Sequence, residues 1–397
     1  MSANPYAGNV RKLYAIRFCA WMHTVAAVLV PFFRDWGGVP LGGILLLNAW
    51  FMAWSFLLEV PTGTVADRFG RKTSLVLGTA LGAIATGVYV SAPVLGVFLV
   101  GEILFAMSYA LNSGADEALL YESLGPDAAE RAPRAFARLE SFKLAGICAG
   151  ALCGSVLASE LGLRVAVAAQ MVPMALGVGL ALTLREPPRH APGEQPRRYA
   201  DTLREGLRHF ADDPALRPLA VDAIAIGALC FLVIWLYQPL LEAAGIGVAA
   251  FGGVHVALCV GQILVLGSLG RLTTFFGSRA ALLRGAALTA GACFVALAVA
   301  RHPAAVVALV VACASFGLSR TPILNSAMNH HLPSAHRATV LSVVSGLRML
   351  GIVIVNGLTS LGVGRSLHGT ALALGLAILA LAALSPVRET HLGSEDA

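Results

Sequence analysis

Charge is what this chain has least of. Only 13% of its 397 residues are Asp, Glu, Lys or Arg, against about 25% in soluble domains, which excludes a water-solvated globular surface. Lysine is scarcest, present only at Lys12, Lys72 and Lys143. The seven cysteines (Cys19, Cys148, Cys153, Cys230, Cys259, Cys293, Cys313) form no Cys-x-x-Cys pair and all fall inside apolar stretches, where thiols act as small packing residues. Enzyme signatures are missing as well: there is no His-Glu-x-x-His, no Gly-x-Ser-x-Gly, no paired aspartate-rich diphosphate site and no phosphate-binding loop. Neither catalysis, nor ATP hydrolysis, nor a cofactor is therefore expected.

What is present is apolar length. Hydrophobic residues make up 57% of the chain and the mean hydropathy is +0.76. A membrane span takes roughly 20 apolar residues. Runs of that kind fall at 13–33, 41–62, 74–92, 94–118, 139–159, 163–184, 218–241, 249–270, 280–300, 303–327, 338–362 and 367–386. The expected fold class is thus an all-α integral membrane protein with twelve transmembrane helices. The first run follows Arg11 and Lys12 as a signal peptide would, but it lacks a clean small-residue cleavage site and continues to Phe33, so it reads as a retained span.

Twelve spans place both termini on one side. Arg11, Lys12, Arg68, Arg71, Lys72, Arg131, Arg134, Arg138 and the basic residues of 185–217 share that side; Arg34, Arg164, Arg301 and Arg365 lie on the other. Basic loops mark the cytoplasm, so the termini are expected there. The net charge of +6 follows from this topology and implies no nucleic-acid partner. Arginine and alanine in place of lysine suggest a GC-rich bacterial genome, hence a bacterial inner membrane.

One long polar segment divides the chain into 1–184, 185–217 and 218–397. It opens with Glu186-Pro187-Pro188, a stiff linker. Beyond it Tyr199, Leu203, Leu207 and Phe210 recur at helical spacing opposite Asp201, Arg204, Glu205 and Arg208, the pattern of an amphipathic helix lying on the membrane surface.

The most informative ten residues join spans 2 and 3: Gly63-Thr64-Val65-Ala66-Asp67-Arg68-Phe69-Gly70-Arg71-Lys72. So short a link needs glycine for its turn, and its charges mark an aqueous face. Residues 270–279, Gly-Arg-Leu-Thr-Thr-Phe-Phe-Gly-Ser-Arg, align on it without gaps, keeping both glycines, a Phe and the terminal cation, while Thr274 and Phe275 replace Asp67 and Arg68. A duplicated loop at the same place in each half argues for a 6+6 repeat. Asp67 is suited to cap the exposed N-terminus of a facing helix, with span 11 near Ala338 the expected recipient. Arg71 needs a carboxylate, and span 4 ends in Asp116, Glu117 and Glu122. Together these residues would latch one side of the protein.

Residues 63–72 closely resemble the signature loop of the major facilitator superfamily. Glu59-Val60-Pro61-Thr62 before the loop, residues 113–124 of span 4 and Arg337-Ala338-Thr339-Val340-Leu341-Ser342 of span 11 are similar to a bacterial drug and metabolite exporter-like subgroup. The resemblance covers essentially the whole chain. It implies two six-helix bundles rocking about a cavity lined by spans 1, 4, 7 and 10, a small-molecule substrate and exchange for protons, with import by symport as the alternative. A monomer in the lipid bilayer is expected. One departure matters: drug antiporters of this superfamily usually carry a Gly-Pro pair in span 5, whereas here Gly146, Gly150 and Gly154 recur every four residues with no proline, a spacing that allows close helix packing.

Ionisable groups inside spans are costly and need partners or a wet cavity. Arg17 on span 1 and Asp222 on span 7 occupy equivalent positions of the two halves, at the depth of Asp116 and Glu117 on span 4 and Arg320 on span 10. Arg17 can pair with the span 4 acids and Asp222 with Arg320, or Arg17 and Asp222 can meet across the halves. Nearer mid-depth, His23 and Glu102 are the candidate proton carriers. Arg348 on span 11 is a candidate cavity cation or interhelical tether, and with Arg17 and Arg320 it points toward an anionic or amphiphilic substrate. His255 reads as a packing residue. His330, His331 and His336 have no metal-site spacing, so no metal is expected.

Overall fold

The computed structural model describes residues 4–125, 128–187, 204, 208, 212–332 and 337–392, without the side chains of residues 60, 61, 63, 64, 67 and 337–339. Among the described residues every regular element is helical. Twelve principal helices follow the apolar runs: α1 (Ala7–Trp21), α2 (Leu41–Phe69), α3 (Arg71–Tyr89), α4 (Leu95–Ser123), α5 (Ala128–Leu161), α6 (Leu163–Leu182), α7 (Leu216–Ala243), α8 (Val248–Gly267), α9 (Arg279–Leu297), α10 (Pro303–His331), α11 (Arg337–Val363) and α12 (Leu367–Leu384).

Ten of these, all but α1 and α3, are long and apolar enough to cross a membrane. Helix α1 stops after 15 residues, and α3 opens with the polar run Arg71-Lys72-Thr73-Ser74. The expected surface helix after 185 falls almost wholly outside the described residues: Arg204 and Arg208 are helical, while Tyr199, Asp201, Leu203, Glu205, Leu207 and Phe210 lie outside them.

Local chemistry sets the helix ends. Gly70, at φ 99°, makes the corner between α2 and α3 that a side chain would strain. Ser278 and Ser366 cap α9 and α12, their hydroxyls accepting the Ala281 and Gly369 N–H groups at 3.1 and 2.9 Å. Polar side chains inside the apolar helices bond to backbone, as an environment without water requires: Ser74 and Ser108 of α3 and α4 donate to the Leu111 and Gly78 carbonyls at 2.6 Å each.

The chain packs into two compact units. One holds residues 1–40, 50–193 and 247–256; the other holds 41–49, 194–246 and 257–397. In the first unit Leu13, Ile16, Leu75, Leu119 and Leu139 form a core joining α1, α3, α4 and α5. In the second, Leu219, Leu283, Leu324, Met328 and Val340 join α7, α9, α10 and α11. Helices α9 and α12 approach backbone to backbone at Gly291 and Gly375, where a methyl on Gly375 would stand 2.7 Å from the Gly291 carbonyl oxygen.

The first span is interrupted. After Trp21 the chain leaves the helix and resumes regular structure at Leu29, ending in a π-helical turn over Phe32–Trp36. The span 5 glycines explain how the interruption is held. A methyl at Gly146 would stand 2.5 Å from the Phe18 carbonyl oxygen, and one at Gly150 would stand 2.5 Å from the His23 nitrogen. At Gly154 it would press into the Thr24 carbonyl. The glycine stripe on α5 thus serves as a seat for unwound backbone, which accounts for its four-residue period without proline. Replacing Gly154 with Ala should therefore destabilise the protein by about 1–3 kcal/mol through overpacking, read as a lower melting temperature in detergent; Gly179→Ala, a site with nothing within 4 Å, should leave that temperature unchanged or slightly raised.

Candidate functional site

Two buried ion pairs organise the charged residues. In the first unit α4 bends at Gly114, whose φ of 73° restarts the helix at Ala115 and places Asp116 in a new first turn. Arg17 of α1 pairs with Asp116 and lies 3.4 Å from Glu117 and 3.5 Å from Glu140 of α5. In the second unit Asp222 of α7 pairs with Arg320 of α10, both almost completely enclosed. The Ser385 hydroxyl donates to the other Asp222 oxygen at 2.7 Å, and the Arg320 Nε–H donates to the Leu283 carbonyl of α9 at 3.1 Å. The same arrangement occurs in both units with the charges exchanged: the cation is on the first span of one and on the fourth span of the other. Each of Arg17 and Asp222 finds its partner inside its own unit. Arg17 and Arg320 are thereby held in ion pairs within the protein.

The signature loop adds a further layer. Arg71 lies 2.5 Å from Glu122, while Asp116 and Glu117 turn to Arg17, so of the three span 4 acids it is Glu122 that pairs with Arg71 among the described residues. Arg68 is exposed, its guanidinium 5.7 Å from the centre of the Phe69 ring. Gly70 makes the corner already described. The side chain of Asp67, like those of Arg337, Ala338 and Thr339, lies outside the described residues, as does the environment of Gly63.

Sequence reasoning missed the cap on α3. Glu186, read as the start of a linker, accepts the Arg71 and Lys72 N–H groups at 2.9 and 2.8 Å. A carboxylate at a helix N-terminus meets both unsatisfied donors and the positive end of the helix dipole. Glu389 does the same for α9, accepting the Arg279 and Ala280 N–H groups at 3.2 and 2.8 Å. The signal was present: Arg185-Glu186 closes span 6 and Arg388-Glu389 closes span 12.

The mid-depth candidates are placed as follows. His23 stands where the first span unwinds, stacked on Trp21 with ring centres 5.4 Å apart and Nε2 2.9 Å from the Ala20 carbonyl oxygen. Beside it Gln170 of α6 accepts the Val25 N–H at 3.4 Å. Buried Thr24 has a hydroxyl with no hydrogen-bond partner among the described residues. Glu102 of α4 is buried, next to the equally buried Tyr89 of α3. Around Tyr89 pack Phe33 and Phe105, with ring centres 5.4 and 5.0 Å away. His255 is buried on α8, and Arg348 is half-buried on α11. His331 bonds to the His391 carbonyl at 2.7 Å, His330 is exposed, and His336 lies outside the described residues.

A second feature escaped the sequence reading. Asn356 of α11 donates to Asn48 of α2 at 2.8 Å inside the second unit, both side chains buried. A lone asparagine in an apolar run carries no pattern, so only packing reveals the pair. In a low-dielectric interior such a bond is costly to leave unmade.

Comparison with known proteins agrees with this architecture. Residues 13–356 match the family described as Major Facilitator Superfamily. No curated protein matches the sequence. Among solved structures, the nucleoside transporter NupG superposes with a TM-score of 0.76 at 15% identity, covering 96% of this chain and 98% of that one. A POT family transporter in complex with 5-aminolevulinic acid superposes with a TM-score of 0.77 at 15% identity, covering 97% of each chain. A peptide transporter of the POT family superposes with a TM-score of 0.71 at 16% identity, covering 97% of this chain and 96% of that one. At such identities the likeness is one of fold, and it joins the signature loop, the paired charges and the family match in a single conclusion: this multi-pass membrane protein belongs to the Major Facilitator Superfamily.

Proposed function

We propose that this chain is a proton-coupled transporter of a bacterial inner membrane that exports a small organic molecule by alternating access, working as a monomer with both termini in the cytoplasm. In this reading residues 1–184 and 218–397 are the two moving bundles and 185–217 is the link between them. The observation that carries it is the pair of buried salt bridges, Arg17 with Asp116 and Asp222 with Arg320. Each ties the first helix of a half to its fourth, the helices expected to line the pathway, so that each half can move as a rod. Charges buried at membrane depth are retained for work or for rigidity, since apolar residues would fill the same space at lower desolvation cost.

Arg71, Glu122 and the Glu186 cap hold the corner between α2 and α3. That is the place where a latch between alternating states would be released. Glu102 is the preferred proton carrier, because a buried carboxyl that takes part in no ion pair among the described residues can gain and lose a proton without breaking a salt bridge. His23, held beside the unwound segment, is the other candidate.

Three outcomes follow. Arg320→Gln leaves the Asp222 charge buried without its cation and should cost about 3–5 kcal/mol, whereas the double variant Asp222→Asn with Arg320→Gln should recover much of that loss, as measured by thermal unfolding. A ligand found by thermal-shift screening, added to inverted vesicles holding an imposed acid-interior gradient, should discharge that gradient; a ligand transported without discharge would reject exchange in favour of symport. Glu102→Gln should lower gradient-driven transport at least tenfold while substrate counterflow stays within about twofold. Equal loss of both would assign Glu102 a structural role.

A further inference from the structure

Helix α5 is longer than a bilayer's apolar layer is thick. Its 34 residues extend over about 51 Å at 1.5 Å per residue, against about 30 Å of hydrocarbon. The apolar run occupies 139–159, so the surplus turns are the N-terminal ones. Those turns carry Arg131, Arg134 and Arg138, all exposed. Ala132, Ala135 and Leu139, on the other face, are buried in the core of the first unit.

The acids of α4 and α5 at this end are engaged elsewhere. Asp116 and Glu117 turn to Arg17, Glu140 is shared by Arg17 and Lys143, and Glu122 pairs with Arg71. Glu130, in the first turn of α5, sits where the helix dipole favours a carboxylate. Arg131 donates to the Leu124 carbonyl at 3.2 Å, and none of the three arginines takes part in an ion pair among the described residues. The same line of side chains continues into the membrane. At 3.6 residues per turn Arg131, Arg134, Arg138, Phe142, Leu152 and Val156 lie within about 40° of one line along the helix. Phe142, Leu152 and Val156 are 41%, 47% and 55% exposed, and Tyr14 of α1 stacks on Phe142 with ring centres 5.4 Å apart. Exposed apolar side chains on a spanning helix are covered by acyl chains, so this face passes from alkyl contact directly into unpaired positive charge. Arg138 stands one residue outside the apolar run and Arg134 about 6 Å beyond it, which puts both in the headgroup layer, about 5–7 Å deep.

We propose that this face of α5 binds an anionic phospholipid, its phosphate held by Arg134 and Arg138 and one acyl chain lying along Phe142, Leu152 and Val156. Guanidinium forks match phosphate oxygens, and Arg131, farther from the hydrocarbon, adds attraction for a headgroup of net negative charge. A zwitterionic lipid carries its own ammonium beside the phosphate and gains less from the same three cations. A soluble anion has nothing to set against the apolar part of the line.

The test places the full-length protein in phosphatidylcholine nanodiscs doped with a trace of photoreactive phospholipid, a diazirine on one acyl chain, and maps the crosslinks by peptide mass spectrometry. A phosphatidylglycerol probe should label residues 142–156 at least fivefold more than a phosphatidylcholine probe at the same mole fraction. The double variant Arg134→Gln with Arg138→Gln should bring that labelling down to the phosphatidylcholine level and keep the wild-type melting temperature, since both side chains are exposed, separating loss of the site from loss of the fold. Arg301→Gln, which removes an exposed cation from the second unit, should leave the contrast between the probes intact. Millimolar inorganic phosphate at matched ionic strength should not compete, because the soluble ion lacks the acyl chain. Equal labelling by the two probes, a contrast that survives the double variant, a contrast that Arg301→Gln also abolishes, or displacement by inorganic phosphate overturns the proposal.

Discussion

A guanidinium and a carboxylate removed from water must find each other, and in this protein that requirement shapes more of the structure than any apolar contact. An isolated charge at membrane depth costs several kcal/mol, so Asp222 and Arg320 have to share one place. Their meeting recruits further groups. Ser385 beyond α12 bonds to the second Asp222 oxygen and the Leu283 carbonyl of α9 accepts from Arg320 Nε, so four helices converge on one pair. In the other unit Arg17 draws α1, α4 and α5 together through Asp116, Glu117 and Glu140 in the same way. Exchange of sign between the units preserves the geometry, because a salt bridge between two fixed helices works whichever helix bears the cation.

Backbone satisfaction is the second constraint. Helices keep their own hydrogen bonds in an apolar medium, and a break is tolerated only where protein covers it. The unwound stretch after Trp21 meets that condition by lying against Gly146, Gly150 and Gly154 of α5, where the absence of side chains lets backbone approach backbone. His23 and Thr24 are carried by that stretch. A glycine spacing that looks like ordinary helix packing therefore has a more particular use, the support of irregular backbone around His23 and Thr24.

The two halves also show how a duplicated framework diverges. Carboxylate caps from Glu186 and Glu389 survive at the starts of α3 and α9, where two unsatisfied donors make an acid useful in either copy. The charges around the loop did not survive equally: Arg71 with Glu122 in one copy faces Ser278 and Ser326 in the other. Helix termination is a local need shared by both copies, whereas the Arg71–Glu122 pair belongs to a corner whose counterpart carries hydroxyls at the aligned positions.

Much of this was legible in the residues alone. Apolar runs separated by basic loops defined the helices, since transfer into lipid depends on side-chain composition summed along the chain. The signature loop and its second copy marked the family, and the positions of Arg17, Asp116, Asp222 and Arg320 limited the possible partners to a few. What the linear order could not decide was which partner each charge takes, because that depends on distances between helices far apart in sequence. The interruption of the first span was invisible for a related reason: hydropathy is indifferent to whether an apolar stretch is wound, and the winding of residues 22–28 is settled by glycines more than a hundred positions away. Glu186, Glu389 and the Asn48–Asn356 bond belong with it, as ordinary residues whose roles exist only once folding brings an orphaned backbone donor or a second amide within reach.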